Sequence, residues 1–215
     1  MKKSAPEKRS ILHRHDKQFI DQGFLSLAGV DEAGRGPLAG PVVASAVIVR
    51  DFSFSCALDD SKKISALARR TAYEEILQKC LVGIGVVEAV VIDRINIFQA
   101  ALEAMQQAVR RLSHPPDCIL IDGPKTLRLP FKQVAIPGGD ARSFSIACAS
   151  IVAKVTRDRM MDYYDNLYPG YGFSEHKGYG TKRHFEALKK KGPCPIHRRS
   201  FEPVKSIAYG NALNY

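Results

Sequence analysis

The sequence predicts an α/β fold, a mixed β-sheet flanked by helices. Three observations carry that reading. Two apolar runs, one closing at Val30 and one spanning Val42 to Val49, are joined by a glycine-rich turn and read as consecutive strands. From Ile95 to Leu112, the residues Ile95, Phe98, Leu102, Met105, Val109 and Leu112 recur at helical spacing. Short apolar runs near residues 118–121 and 133–136 then lead into a second long helical stretch. Strands that follow strands, and then alternate with helices, make a mixed sheet with helices packed on it.

The chain has 215 residues, which suits one compact domain. Residues 1–20 are basic and polar and predict a flexible arm, with residues 21–215 forming the domain. Residues 52–63 connect the second strand to a helix over residues 65–79, for which Ser65 is the N-cap. Glycine alternating with valine and isoleucine from Leu81 to Val91 predicts a third strand. Pro115-Pro116 stops the amphipathic helix. Cys118 to Ile121 is a buried strand ending in Asp122-Gly123-Pro124, and Gln133 to Ile136 is another, ending at Pro137-Gly138-Gly139-Asp140. A long helix follows from Ala141 to Tyr164, its inner face formed by Phe144, Ala147, Cys148, Ile151, Val152 and Val155. Tyr168 to Gly180 is rich in glycine and tyrosine and predicts a loop. A short basic helix from Thr181 to Lys191 precedes the tail, which opens with His197-Arg198-Arg199-Ser200-Phe201.

An apolar fraction of 45% sustains a core, and a formal charge of +10 points to a polyanionic partner such as nucleic acid. The plain alternative is a basic protein whose charge only aids solubility. Five cysteines, an odd number with no C-x-x-C pair, argue for a reducing compartment and against zinc or a disulfide framework. No apolar segment follows the N-terminal lysines, and the longest apolar stretch, Leu81 to Ile92, contains Glu88 and is too short to span a bilayer. A cytoplasmic protein without a membrane segment is expected.

The chemistry centres on Ala28-Gly29-Val30-Asp31-Glu32-Ala33-Gly34-Arg35-Gly36-Pro37-Leu38-Ala39-Gly40-Pro41. Gly34 to Ala39 fits the dinucleotide pattern G-x-G-x-x-A, but that motif needs a helix to open behind the glycines. Here two prolines and a β-branched strand follow, and two acids precede. Adjacent carboxylates at about 4 Å repel by roughly 4 kcal/mol at an effective dielectric of 20. Something cationic, or full solvation, must answer that cost. Asp122 and Asp140 end two further predicted strands. Taken singly, Asp122-Gly123 is a turn signal and Asp140 a helix N-cap. Taken together, four carboxylates at neighbouring strand ends inside a basic protein make a cation site. All the donors are oxygens, which selects Mg²⁺ or Mn²⁺ over zinc. Two such ions held by carboxylates are a device for phosphodiester cleavage.

These residues resemble ribonuclease HII. The resemblance runs in order through Gly29-Val30-Asp31-Glu32-Ala33-Gly34-Arg35-Gly36, Leu58-Asp59-Asp60-Ser61-Lys62-Lys63, Ile121-Asp122-Gly123 and Gly139-Asp140-Ala141-Arg142-Ser143. It continues in Ala153-Lys154-Val155-Thr156-Arg157-Asp158, His176-Lys177-Gly178-Tyr179-Gly180-Thr181 and Pro195-Ile196-His197-Arg198-Arg199-Ser200-Phe201, covering residues 28–204. It implies a ribonuclease H-like fold with a small helical C-terminal extension that binds substrate. It also implies a monomeric, metal-dependent endonuclease that cuts RNA paired to DNA and incises DNA duplexes at single ribonucleotides. The products would carry 5′-phosphate and 3′-hydroxyl ends. Carried over residue by residue, Asp31, Glu32, Asp122 and Asp140 are the catalytic, metal-binding carboxylates. Gly34, Arg35 and Gly36 read the 2′-hydroxyl side of the ribonucleotide, and Tyr179 packs on its sugar. The Gly-Arg-Gly triplet favours this type over ribonuclease HIII. Phe144 and Cys148 stand where the family often has an aliphatic residue and alanine, a difference of packing.

Physical chemistry agrees with this reading. Telling RNA from DNA requires a group that senses the 2′-hydroxyl, and glycines let the backbone come that close. Lys62, Lys63, Lys154, Arg157, Lys177, Lys182, Arg183, Arg198 and Arg199 are candidate phosphate contacts. Arg35 reads either as a substrate contact or as the partner of an acid, and Tyr179 either as a sugar contact or as a cap on the core. Asp158 reads as a salt-bridge or helix-surface residue rather than a metal ligand. No spacing singles out His176, His184 or His197. The competing class is a non-catalytic nucleic-acid-binding module whose acids are turns and caps.

Overall fold

A computed structural model describes residues 5–56 and 65–210, with side chains from residue 12 onward within those ranges. The elements in chain order are helix α1 (Ala5–Ile20), strands β1 (Leu27–Ala33) and β2 (Val42–Val49), helix α2 (Ala66–Lys79), strand β3 (Cys80–Val87) and helices α3 (Ala89–Ile95) and α4 (Ile97–Arg110). Strands β4 (Cys118–Asp122) and β5 (Lys132–Ile136) follow. The chain closes with helices α5 (Phe144–Leu167), α6 (Phe173–His176), α7 (Lys182–Lys191) and α8 (Val204–Tyr209).

The five strands form one mixed sheet in the order β3-β2-β1-β4-β5. The turn at residues 34–41 returns β2 antiparallel to β1, and β3 continues antiparallel to β2. After the α3–α4 crossover, β4 pairs parallel to β1 and β5 parallel to β4. Both faces of the sheet are covered. Val47 packs with Phe144, Cys148, Ile151 and Val152 of α5 and with Tyr73 and Ile76 of α2. Val30, Ala44, Ala46, Ile119 and Ile121 pack on the other face, against Ala101, Ala104, Met105 and Ala108 of α4. Burial on both faces explains why β2 and β4 read as unbroken apolar runs rather than alternating ones. The inner face expected for the long helix is buried throughout.

Four expectations are corrected. The basic N-terminus forms a helix where a flexible arm was expected. Leu12 is buried, and the buried Asp16 accepts a hydrogen bond from the Ser145 backbone N–H at 2.8 Å, so a polar helix is anchored by a few inward residues. The third strand stops at Val87. Beyond it Ala89 and Ile92 turn inward one helical turn apart while Val90 is exposed, so tertiary burial overrides the β propensity of the valines. Asn96, at φ 65°, separates α3 from α4 and caps α4 by accepting from the N–H groups of Phe98 and Gln99. Asp140 lies in a single 3₁₀ turn, and Ser143 is the N-cap of α5. Ser65 caps α2 as expected.

The C-terminal extension carries a buried histidine cluster. The His184 and His197 Nε2 atoms stand 3.0 Å apart, and the ring of His176 stacks on that of His184 with centroids 4.5 Å apart. Burial, aided by the neighbouring imidazoles, pulls His184 down to about 4 and His197 to about 3. The unfolded chain therefore takes up protons that the folded one refuses. The stability these two histidines contribute is complete above about pH 6.5 and is lost as pH drops toward 4, by about 3 kcal/mol for His184. Chemical denaturation at pH 7 and pH 4.5 should show that loss, and His184→Asn should show less of it. An unchanged midpoint in the wild type would contradict the neutral cluster.

Candidate active site

The mixed topology decides where the acids meet. The last pair between parallel strands β1 and β4 is Val30 with Ile121, so Asp31 and Asp122 are the next residue on each strand. Side chains alternate across a strand. Asp31 shares its face with Gly29, which lies against α5, and Asp122 shares its face with Leu120, which packs against Ile146 of α5. Glu32 shares the opposite face with Val30. Asp122 accepts a 2.6 Å hydrogen bond from the Gly139 N–H, which draws the turn bearing Asp140 against the end of β4. All four acids line one cleft of about 460 Å³, together with Gly34, Arg35, Gly36, Ser150, Lys154, Arg157 and Tyr179.

The cleft is electrostatically strained in a way that invites a cation. Asp31 is 5% exposed. Burial, then the charges of Glu32 and Asp122, push its carboxyl well above the usual range. Burial also raises Glu32, partly offset by Arg35, whose Nη1 donates to Glu32 Oε1 at 3.1 Å. Asp31 Oδ1 accepts from the Glu32 N–H at 2.7 Å. The all-oxygen donor set fits a hard divalent ion, and a bound cation would reverse both shifts. Among the described residues, no three acids, histidines or cysteines stand ready-made around one point.

Two arginines expected at phosphates serve the walls instead. Arg198 is fully buried, and its guanidinium donates to the carbonyls of Gly34, Arg35 and Gly40. Arg157, also buried, donates to the carbonyls of Ala39, Pro41 and Lys177. These two side chains tie the Gly-Arg-Gly turn to the segment bearing Tyr179. They also set its polarity: in planar trans peptides the N–H opposes the C=O, so with two carbonyls held by Arg198, the N–H groups of Arg35 and Gly36 are turned away from it. Burial lowers Arg157 to about 10 and Arg198 to about 9, so both stay charged at neutral pH. Gly34, at φ +98°, has no room for a side chain: a Cβ would lie 2.1 Å from Arg157 Nε.

The remaining expected residues are distributed plainly. Tyr179 is 45% exposed at the cleft, which removes the reading of a core cap. Lys154 reaches the cleft while donating to Asp158 at 2.7 Å, and Asp158 is the salt-bridge residue expected. Lys177 and Arg183 pair with Asp162 and Glu175. Lys62 and Lys63 lie outside the described residues. Sequence reasoning passed over Ser150, which lines the cleft and hydrogen-bonds Asp31. Its signal was present: Ser150, Lys154 and Arg157 stand at i, i+4 and i+7, one face of α5.

The ribonuclease HII family model matches residues 28–204, the span that builds the sheet, the cleft and the extension. The chain belongs to the ribonuclease HII family. It is 56% identical over 197 residues to the ribonuclease HII of Syntrophobacter fumaroxidans, covering 91% of this chain and 84% of that one. It is 57% identical over 184 residues to that of Geobacter metallireducens, covering 85% and 86%. Among solved structures, the ribonuclease H2 of Pyrococcus horikoshii superposes with a TM-score of 0.73 at 25% identity, covering 88% of this chain and all of that one. Membership makes the protein a hydrolase, a ribonuclease H-type endonuclease acting on RNA–DNA hybrids. No helix among the described residues is long and apolar enough to cross a membrane.

Proposed function

We propose that this cleft cleaves the RNA strand of RNA–DNA hybrids and also incises duplex DNA at single embedded ribonucleotides, leaving 5′-phosphate and 3′-hydroxyl ends. The observation that carries the reading is the shared lining: four carboxylates from distant parts of the chain face a Gly-Arg-Gly turn and a half-exposed tyrosine. Asp31, Glu32, Asp122 and Asp140 hold Mg²⁺ or Mn²⁺, as a pair when substrate is present. Bound there, the ions supply an activated water and neutralise charge on the phosphate and leaving oxygen. The protein's own residues orient the substrate. The turned-out N–H groups of Arg35 and Gly36 donate to the ribose side of the scissile nucleotide, and the Tyr179 ring lies against its sugar. Arg35, released from Glu32, faces the same ribonucleotide. Lys154 stands at the mouth for a phosphate, and Lys62 is a further phosphate contact. Arg198 reaches the substrate only through the turn it holds.

A DNA duplex carrying one ribonucleotide, incubated with and without Mg²⁺ and Mn²⁺, tests the reading. Metal-dependent incision at the ribonucleotide is expected, with all-DNA duplex left whole. Cutting of continuous hybrids alone would indicate the ribonuclease HIII type. Metal-indifferent binding without product would indicate a binding module. The reading assigns the chain to the cytoplasm as a monomer, in the removal of ribonucleotides from DNA.

A further inference from the structure

The histidine cluster lies directly behind Tyr179. The Tyr179 carbonyl accepts from the Thr181 N–H at 2.9 Å and lies 2.9 Å from His184 Nδ1. A carbonyl can only accept, so His184 carries its proton on Nδ1, and its Nε2 is an acceptor. That Nε2 faces His197 Nε2 at 3.0 Å, so His197 carries its proton there. The opposite nitrogen of His197, Nδ1, then accepts from the Cys194 N–H at 2.9 Å. One arrangement of protons satisfies the whole line from Cys194 to the Tyr179 carbonyl. His184 is fully buried and His197 2% exposed, so no water competes. His197 also adjoins Arg198, which holds the Gly-Arg-Gly turn. A single dipeptide thus sets both walls of the cleft.

We propose that His184, with its tautomer fixed by His197, is a positioning residue that sets Tyr179 for selection of the ribonucleotide. This rests on the reading of Tyr179 as the sugar contact. The carboxamide of asparagine reaches the place of imidazole Nδ1, where its N–H can donate, and that of glutamine reaches the place of Nε2, where its oxygen can accept. His184→Asn therefore keeps the donor to the Tyr179 carbonyl, whereas His184→Gln keeps only the link toward His197. Asparagine, one methylene shorter, loses the more packing, so an activity loss confined to glutamine is not a packing effect.

The experiment measures kcat/KM on the duplex with one ribonucleotide, and the melting temperature, for both variants in Tyr179 and Tyr179→Ala backgrounds. Both variants should melt lower than wild type. His184→Asn should keep kcat/KM within about threefold of wild type, while His184→Gln loses about tenfold or more, the loss of one buried hydrogen bond. That loss should vanish when Tyr179 is alanine, because the effect runs through Tyr179. Equal losses in the two variants, or a loss by His184→Gln that persists in full beside Tyr179→Ala, would overturn this proposal alone. A wild type that spares the ribonucleotide, or a Tyr179→Ala that cuts it as well as wild type does, would overturn the reading of Tyr179 and the proposal with it. If His184→Gln does not fold, His197 offers the same contrast. His197→Gln keeps the donor to His184 and should stay near wild type, His197→Asn should lose activity, and equal behaviour would overturn the proposal.

Discussion

Asp31→Asn is expected to lower strand cleavage by about 10³-fold or more, while the metal-free protein melts no lower than wild type. The two effects share one cause. Asp31 sits 5% exposed between Glu32 and Asp122, a position where a negative charge is costly until a cation answers it. Asparagine keeps the shape and the oxygen that accepts from the Glu32 N–H, but it removes the charge. The repulsion is relieved, and so is the attraction for a divalent ion, whose several kcal/mol of transition-state stabilisation correspond to about three powers of ten in rate. Differential scanning calorimetry with and without Mn²⁺ gives a second readout. Metal should raise the midpoint of the wild type and do much less for the variant. A variant that is inactive and also markedly less stable without metal would instead assign Asp31 to the fold.

Gly29→Ala should be strongly destabilising, costing about 3 kcal/mol or more. Gly29 lies two residues before Asp31 on the face that meets α5. A Cβ there would lie 2.1 Å from the Ser145 carbonyl carbon and 2.3 Å from the Ile146 nitrogen. Both are backbone atoms at the start of a 24-residue helix, so no side chain can rotate aside. Relief requires α5 to lift from β1, carrying Ser150 and Lys154 away from the acids. Urea denaturation should report the loss, and activity should fall with it. A melting midpoint within a degree or two of wild type would show that α5 shifts more easily than this packing implies.

How much of this could be read beforehand follows from the range of each interaction. The strands at residues 27–33, 42–49 and 118–122 were legible because their apolar runs and glycine breaks are local. The meeting of the four acids was legible because Asp31, Glu32 and Asp122 stand at strand ends and Asp140 in the turn beyond one, and such ends gather once the strands are neighbours. Arg157 and Arg198 were misplaced because an arginine in a basic chain reads as surface. Their burial depends on carbonyls that a sharp turn leaves unpaired, which no local pattern reveals. The histidines gave no signal since His176, His184 and His197 follow no period and meet only when α6, α7 and the tail pack. The N-terminal helix was hidden by its polar composition, its anchorage resting on Leu12 and Asp16, one turn apart.

The enclosure of Arg157 and Arg198 bears on how firmly the protein holds its ligand in different buffers. Lysines on the outside lose their pull on phosphates as ionic strength rises, because dissolved ions screen them over roughly 10 Å. A guanidinium walled in by protein is screened much less, and Arg157 lines the cleft itself. Part of the attraction for a polyanion therefore survives in concentrated salt. A plot of log affinity against log salt concentration, which counts displaced ions, will register fewer positive charges than the site contains.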